Sequence, residues 1–301
     1  MGVLPVAVAV ALIMGLAGPV HAQGQQAGRV YRIGVLDGSS LDAASARIES
    51  FRKGLRDLGY IEGQNLKIEW RFAEGKEAPL PTLATELAGL KPDVLVSSSA
   101  WGLWALRNAT TAIPIVAAGA DTDAGAGAQL VNPENLGRPI GNITGVISTE
   151  RETDGKRMEL LREAVPAVAR VATFWDCSSR NIGGCRPGVA AKSRSERWGL
   201  TFVPIQVWGP DDLEGAFAAS IKEGARALSL LNTAMFYTHR RRLADLAVKN
   251  RLAWIAGDRV YAEAGCLISY GPDAKDLVRR AAAYVDISKY VGGVNSFSLT
   301  V

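Results

Sequence analysis

The chain has 301 residues, 34 Lys and Arg against 30 Asp and Glu, a formal charge of +4 and a mean hydropathy of +0.08. The basic excess is mild and its one dense run is Arg240-Arg241-Arg242, so no electrostatic footprint for nucleic acid is present. The length is too great for one small core and suits two lobes.

In chain order, Val3 to Ala17 is almost wholly apolar and is broken by Gly18-Pro19. Val20 and Ala22 place small residues three and one before a cut after Ala22, the pattern of a secretory signal. Pro5, Gly15, Gly18 and Pro19 leave too short a run for the ~20 residues of a spanning helix. Residues 1–22 are therefore expected to be removed, and the product to be periplasmic.

Strand-like runs then alternate with helical ones. The first set is Tyr31–Leu36, Leu66–Phe72, Val94–Ser97 and Ile115–Ala118, with Ile48, Phe51, Leu55 and Leu58 at helical spacing between the first two. The second set repeats it half a length later, with Val171–Trp175, Leu200–Ile205, Ala227–Leu231 and Ala253–Ala256. Leu58-Gly59-Tyr60 and Trp198-Gly199-Leu200 mark the same helix-to-strand turn in each copy. Asp211 with Glu214 reads as a capping box for the helix carrying Leu213, Phe217 and Ile221. The Gly-rich stretch Gly137 to Gly145 and the segment Tyr270-Gly271-Pro272-Asp273 read as crossings between lobes. The implied fold class is α/β, two Rossmann-like lobes with parallel sheets joined by a hinge. Residues 23–143 and 274–301 form one lobe, and residues 144–273 the other.

Ligands of such sheets gather beyond the carboxyl ends of the strands, where helix N-termini point amide groups into a crevice. The residues there are Asp37 and Ser39, then Ser97, Ser98, Ser99 and Trp101, then Asp121 in the first copy. In the second copy they are Ser178, then Asn232, Thr233 and Phe236, then Asp258. This set of hydroxyls, carboxylates and aromatics suits the charged ends and side chain of an amino acid. Asp121 is the most pointed member, because a carboxylate at a cleft-facing strand end needs a cationic partner. Each residue taken singly also fits plain turn chemistry.

Catalytic and cofactor signals are thin. Beyond residue 22 the one histidine is His239, beside an arginine run, and no pair of His or Cys has metal-ligand spacing. No Gly-x-Gly-x-x-Gly follows the first strand. No cofactor, no metal and no catalysis are expected. Cys177 and Cys185 are either a disulfide or two thiols, and the spacing leaves both open. Cys266 lies in an apolar strand-like run, Cys266-Leu267-Ile268, and reads as a small core residue.

Lys156-Arg157-Met158-Glu159-Leu160-Leu161, Phe236-Tyr237-Thr238-His239-Arg240-Arg241-Arg242 and Gly265 to Asp273 have the look of family signatures. So do Ile113-Pro114-Ile115-Val116 and Gly141-Asn142-Ile143-Thr144-Gly145. Together, from Tyr31 to Asp286, they resemble the TrpX-like ABC-transporter substrate-binding proteins, which share the type I periplasmic binding fold. The resemblance implies a monomer that holds a small molecule, an aromatic or other amino acid, and delivers it to an inner-membrane permease. In the family a Ser/Thr strand end corresponds to Ser97–Ser99 and an Asp to Asp121, whereas Asn232 stands where Asp or Pro is more usual. After Asp286 the chain departs from the family pattern. Two other readings stay open: a small Rossmann-like oxidoreductase, and the ligand-sensing module of a receptor.

Overall fold

The computed structural model describes residues 29–121, 141–148, 151–178, 197–286 and 299–300. The expected signal segment, Cys185 and Gly137–Ile140 of the expected crossing lie outside the described residues.

The first sheet contains β1 (Tyr31–Asp37), β2 (Leu66–Phe72), β3 (Val94–Ser97), β4 (Ile115–Asp121), β5 (Ile143–Ser148) and β11 (Leu299–Thr300). The second contains β6 (Arg170–Asp176), β7 (Thr201–Val207), β8 (Ala227–Leu230), β9 (Ala253–Ala256) and β10 (Ile268–Ser269). Helices α1 (Leu41–Asp57), α2 (Leu80–Gly89) and α3 (Ala100–Ala109) accompany the first sheet. Helices α4 (Arg151–Ala164), α5 (Leu213–Lys222), α6 (Ala234–Thr238), α7 (Arg240–Lys249) and α8 (Arg259–Ala264) accompany the second. Finally α9 (Ala274–Ala281) follows β10 in the chain.

The strand order is β11-β5-β4-β3-β1-β2 in one sheet and β10-β9-β8-β6-β7 in the other, and the pairings are parallel. Both sheets are thus doubly wound about their first strand, and the α/β fold expected from the repeated pattern is the fold found. In each, the winding reverses beside that strand, between β1 and β3 and between β6 and β8. This is where such sheets open a crevice.

The central strands, such as β3 and β8, are buried on both faces, so they read as continuous apolar runs, whereas β2 and β7 keep exposed positions. Ile33, Val35, Val94, Val96 and Val116 pack with Phe51 and Leu55 of α1 and with Leu277, Val278 and Ala281 of α9. Leu36, Leu95, Ile115 and Ala117 face Leu87 and Leu103 on the opposite side. The second sheet has its own core, where Phe174 meets Phe217 edge-on at 5.1 Å and Trp254 lies against Tyr261. Two separate cores are what allow two bodies to move against each other. Helix α9 lies on α1 and β4.

Three local readings are corrected. The crossing expected at Gly137–Gly145 is in its last part a strand: β5 pairs with β4, so residues 144–148, assigned above to the second lobe, belong to the first sheet. Gly145 is required there because its φ is +127° and a Cβ would fall on the backbone of Ala117. The capping box is not formed: a 3-10 turn, Pro210–Asp212, leads into α5, and Glu214 pairs with Arg242. Proline preset that turn and displaced the cap. Cys266 is a core residue as read, but it precedes β10; burial pushes its thiol up to about 12, so it is inert at neutral pH.

At the cleft end of β4 the register against β5 shifts between Ala118 and Ala120. Gly119 (φ +81°) sits in this bulge, and a Cβ there would lie 2.9 Å from Leu277. The bulge therefore lets α9 close down on the strand end.

Gly145→Ala combines a forbidden backbone angle with a backbone clash. It is expected to lower unfolding free energy by about 3 kcal/mol or more, read as a lower urea midpoint by circular dichroism.

Candidate functional site

A cleft of about 1120 Å³, its open mouth included, lies between the carboxyl ends of the two sheets. The turns after β1 and β3 form one wall, and the turn after β8 with the start of α8 forms the other. The base comes from β4, β5 and the start of α9, through Ala118, Gly119, Ser148, Leu277 and Val278.

The first wall is organised by Asp37. This buried carboxylate accepts the N–H of Ser39 (2.8 Å), its hydroxyl (2.6 Å) and the hydroxyl of Ser98 (2.9 Å). Nη2 of Arg47, on α1, completes the set at 3.0 Å and also donates to the Ser39 hydroxyl at 2.8 Å. Burial alone would push the Asp37 carboxyl up, but the Arg47 charge and the Ser39 bonds outweigh it and hold the group below the usual range. Arg47, itself buried, is kept charged by Asp37. With its acceptor positions filled, Asp37 orients the wall rather than offering itself to a ligand.

The other wall carries Tyr237 and Asp258. The Arg47 guanidinium lies over the Tyr237 ring, 4.4 Å from its centre, and the Tyr237 hydroxyl donates to Asp258 at 3.2 Å. Asp258 caps α8 by accepting the Val260 N–H at 2.9 Å. Burial pushes its carboxyl up, against the weaker pull of that cap bond and of Arg47. Burial likewise holds the Tyr237 phenol above its ordinary range. The two carboxylates thus have opposite fates: Asp37 is compensated by a buried cation at hydrogen-bond distance, and Asp258 by two neutral donors.

Three helix starts add donors. Ser40, Ser99 and Thr233 are N-caps of α1, α3 and α6, accepting the N–H of Ala43, Gly102 and Phe236. In α3 this leaves the N–H groups of Ala100 and Trp101 without intrahelical acceptors at the cleft wall. The apolar share of the wall is Leu80, Trp101, Leu231, Leu277 and Val278, with Trp101 held edge-on against Trp104. The Asn232 carboxamide stands beside them, its Oδ1 buried without a hydrogen-bond partner.

Of the residues singled out from sequence, Asp37, Ser39, Ser98, Ser99, Trp101, Asn232, Thr233 and Asp258 line this cleft. Three do not. The Ser97 hydroxyl is fully buried and donates to the Leu36 carbonyl at 2.7 Å, tying β3 to β1. Phe236 is fully buried against Phe174 in the second core, because position 236 falls on the inner face of α6. Ser178 turns back onto Asp176, donating at 2.6 Å through its hydroxyl, the same local turn that Ser39 makes on Asp37. Asp121 ends β4 opposite Ser148; its side chain lies outside the described residues. Cys177 is buried and disulfide-bonded.

Sequence reading missed Arg47, Tyr237, Lys76 and Glu77, all in the cleft wall. For Arg47 a signal existed. It lies three and four residues after Ala44 and Ala43 on the buried stripe of α1, where a charge is out of place unless paired. No group of three or more His, Cys, Asp or Glu among the described residues has metal-site geometry. No helix among them is long and apolar enough to cross a membrane.

Asp37→Asn leaves Arg47 buried without its counter-charge and is expected to cost about 3–5 kcal/mol near neutral pH. A depressed carboxyl contributes stability above its unfolded pKa, near 3.9, and loses it as pH falls through the lower folded value. The gap between wild type and variant in a urea titration should therefore shrink in acid.

Comparison with known proteins places the family and the fold. A curated relative, a tyrosine-binding protein of Clostridioides difficile, is 29% identical over 142 residues, which are 47% of this chain and 39% of that protein. A conserved domain protein of Vibrio cholerae superposes with a TM-score of 0.75 at 25% identity, over 90% of this chain and 88% of that one. A Streptococcus pneumoniae ABC domain in complex with L-Trp gives the same score at 19% identity, over 90% and 89%, a likeness of fold. The family model described as ABC transporter substrate binding protein matches residues 32–290, so the chain belongs to that family.

Proposed function

We propose that this protein is the extracytoplasmic solute-binding component of an ABC importer and that its ligand is an amino acid with an aromatic or other apolar side chain. One observation carries the reading: a single interlobe cleft joins a carboxylate without a full counter-charge, Asp258, to a wall of helix-start amides and an apolar pocket. A zwitterion needs an acceptor for its ammonium, donors for its carboxylate and a dry surface for its side chain. In this reading Asp258 and the Asn232 carboxamide receive the ammonium. The Ala100 and Trp101 N–H groups with the Ser98 and Ser99 hydroxyls receive the carboxylate, and Leu80, Trp101 and Leu277 flank the side chain.

Family membership supports transport without chemical conversion, with the ligand passed unchanged to a membrane permease. Closure of the lobes follows from contacts made to both walls at once, since a ligand shifts an equilibrium only by its differential affinity. Export through removal of residues 1–22 belongs to the same reading, and N-terminal sequencing of secreted protein tests it.

Calorimetry on protein stripped of bound solute by unfolding and refolding, titrated with the standard amino acids, tests the ligand class. An aromatic member should bind with a Kd of about 1 µM or below, about −8 kcal/mol. Its analogue without the amino group should bind at least tenfold more weakly. Binding of a sugar, with no response to any amino acid, overturns the proposal.

Asp258→Asn separates function from stability. A raised carboxyl destabilises the fold once pH exceeds its unfolded pKa, near 3.9, and the penalty vanishes in acid, where the group is protonated in both states. The variant should melt higher than wild type at pH 7, lose that advantage near pH 3, and bind the amino acid at least tenfold more weakly.

A further inference from the structure

The walls of the cleft touch beside the ligand space as well as around it. Helix α1 belongs to the first lobe, yet Ala43 in its first turn is buried in the core of the second, among Met235, Tyr237 and Leu243. Next to it the Ser40 N–H donates to the Thr238 hydroxyl at 3.2 Å. Further out, Arg240 reaches back to Asp42 at 3.3 Å. The backbones are close enough that a Cβ on Gly38 would lie 2.9 Å from that of Ala234, and one on Gly75 would lie 3.1 Å from the Thr238 hydroxyl. The Arg47 guanidinium on the Tyr237 ring completes the seam. These contacts join the β1–α1 corner, and at Gly75 the loop after β2, to α6 and the start of α7.

We infer that this seam is a latch: Ala43 and Thr238 are positioning residues that set ligand affinity by holding the lobes closed, without touching the ligand. Each seam contact is made between protein groups alone, so it favours the closed form whatever occupies the cleft. Apparent affinity is the intrinsic affinity of the closed form multiplied by the fraction closed beforehand. A seam that keeps about half the molecules closed leaves affinity within about twofold of its limit, and reducing that fraction to about one twentieth weakens binding about tenfold. Neither Ala43 nor Thr238 lines the ligand cleft, so neither side chain is itself a ligand contact.

The experiment is small-angle scattering of stripped full-length protein, with and without saturating L-tryptophan or L-tyrosine, together with calorimetry. Wild type should scatter as a mixture with about half of the molecules compact before ligand is added, so that ligand shrinks its radius of gyration less than that of an unlatched variant. Ala43→Phe wedges the seam. It should give a larger ligand-free radius, return to the compact value with ligand, and raise Kd about tenfold. Thr238→Val removes only the acceptor for Ser40 and should raise Kd about twofold to threefold; it carries the test if Ala43→Phe does not fold. A ligand-free wild type that is fully open, or variants whose ligand-free radius and Kd match wild type, overturn the latch. The inference shares the amino-acid reading only in its choice of probe. If wild type binds neither amino acid, that reading fails, and the ligand-free radii of wild type and Ala43→Phe still decide the latch.

Discussion

A carboxylate buried at the end of the first strand is tolerable only because a guanidinium ten residues along the chain is buried with it. Asp37 and Arg47 each face a desolvation cost of several kcal/mol that the other, with Ser39 and Ser98, offsets. The pair fixes the turn after β1, the pitch at which α1 leaves it, and the plane of the Arg47 guanidinium. That plane then decides where Tyr237 of the other lobe comes to rest. A buried ion pair adds little net stability compared with apolar packing. What it supplies here is a single arrangement of a wall that would otherwise be a flexible serine-rich turn.

The second wall is built with the opposite electrostatic logic. Asp258 is buried to a similar degree, but its two bonds come from a main-chain N–H and a phenol, neither of them charged. The protein thus holds one carboxylate satisfied and another in deficit across the same small volume. A deficit of this kind lowers the stability of the fold and creates affinity for a cation, the usual opposition between stability and binding. The apolar surfaces of Leu80, Trp101 and Leu277 lie in the same cleft, which is why the ligand is read as a zwitterion with an apolar side chain rather than a simple amine.

The site was legible in part because turn chemistry at strand ends is local. Ser98, Ser99, Thr233 and Asp258 follow their strands directly, and the doubly wound order sends those ends to a common crevice. Hydroxyl and carboxylate residues at such places serve either as caps or as ligand contacts, and some serve as both. Sequence could not sort them: Ser97 and Ser98 are neighbours, yet one ties two strands together and the other faces the cleft. Phe236 and Tyr237 show the same limit on a helix, where a rotation of about 100° per residue keeps one wholly in the core and lets the other, packed in the same core, reach the wall. Tyr237 gave no signal because it lies within a helix, and Arg47 gave only that of a charge on the buried stripe of α1; the importance of both comes from a contact between residues 190 positions apart.

The repeated alternation of apolar runs and amphipathic helices, written twice along the chain, was enough by itself to determine two α/β lobes. Strand identity depends on short-range hydrophobic pattern, and that pattern is in the residues. Tertiary structure alone decided that Gly145 lies inside a strand, because the need for a missing side chain arises from Ala117 on the neighbouring strand. It alone decided that Ala43 crosses into the other core and that the two carboxylates differ in charge balance. Packing distance and burial are properties of pairs brought together by folding, and no local run of sequence contains them.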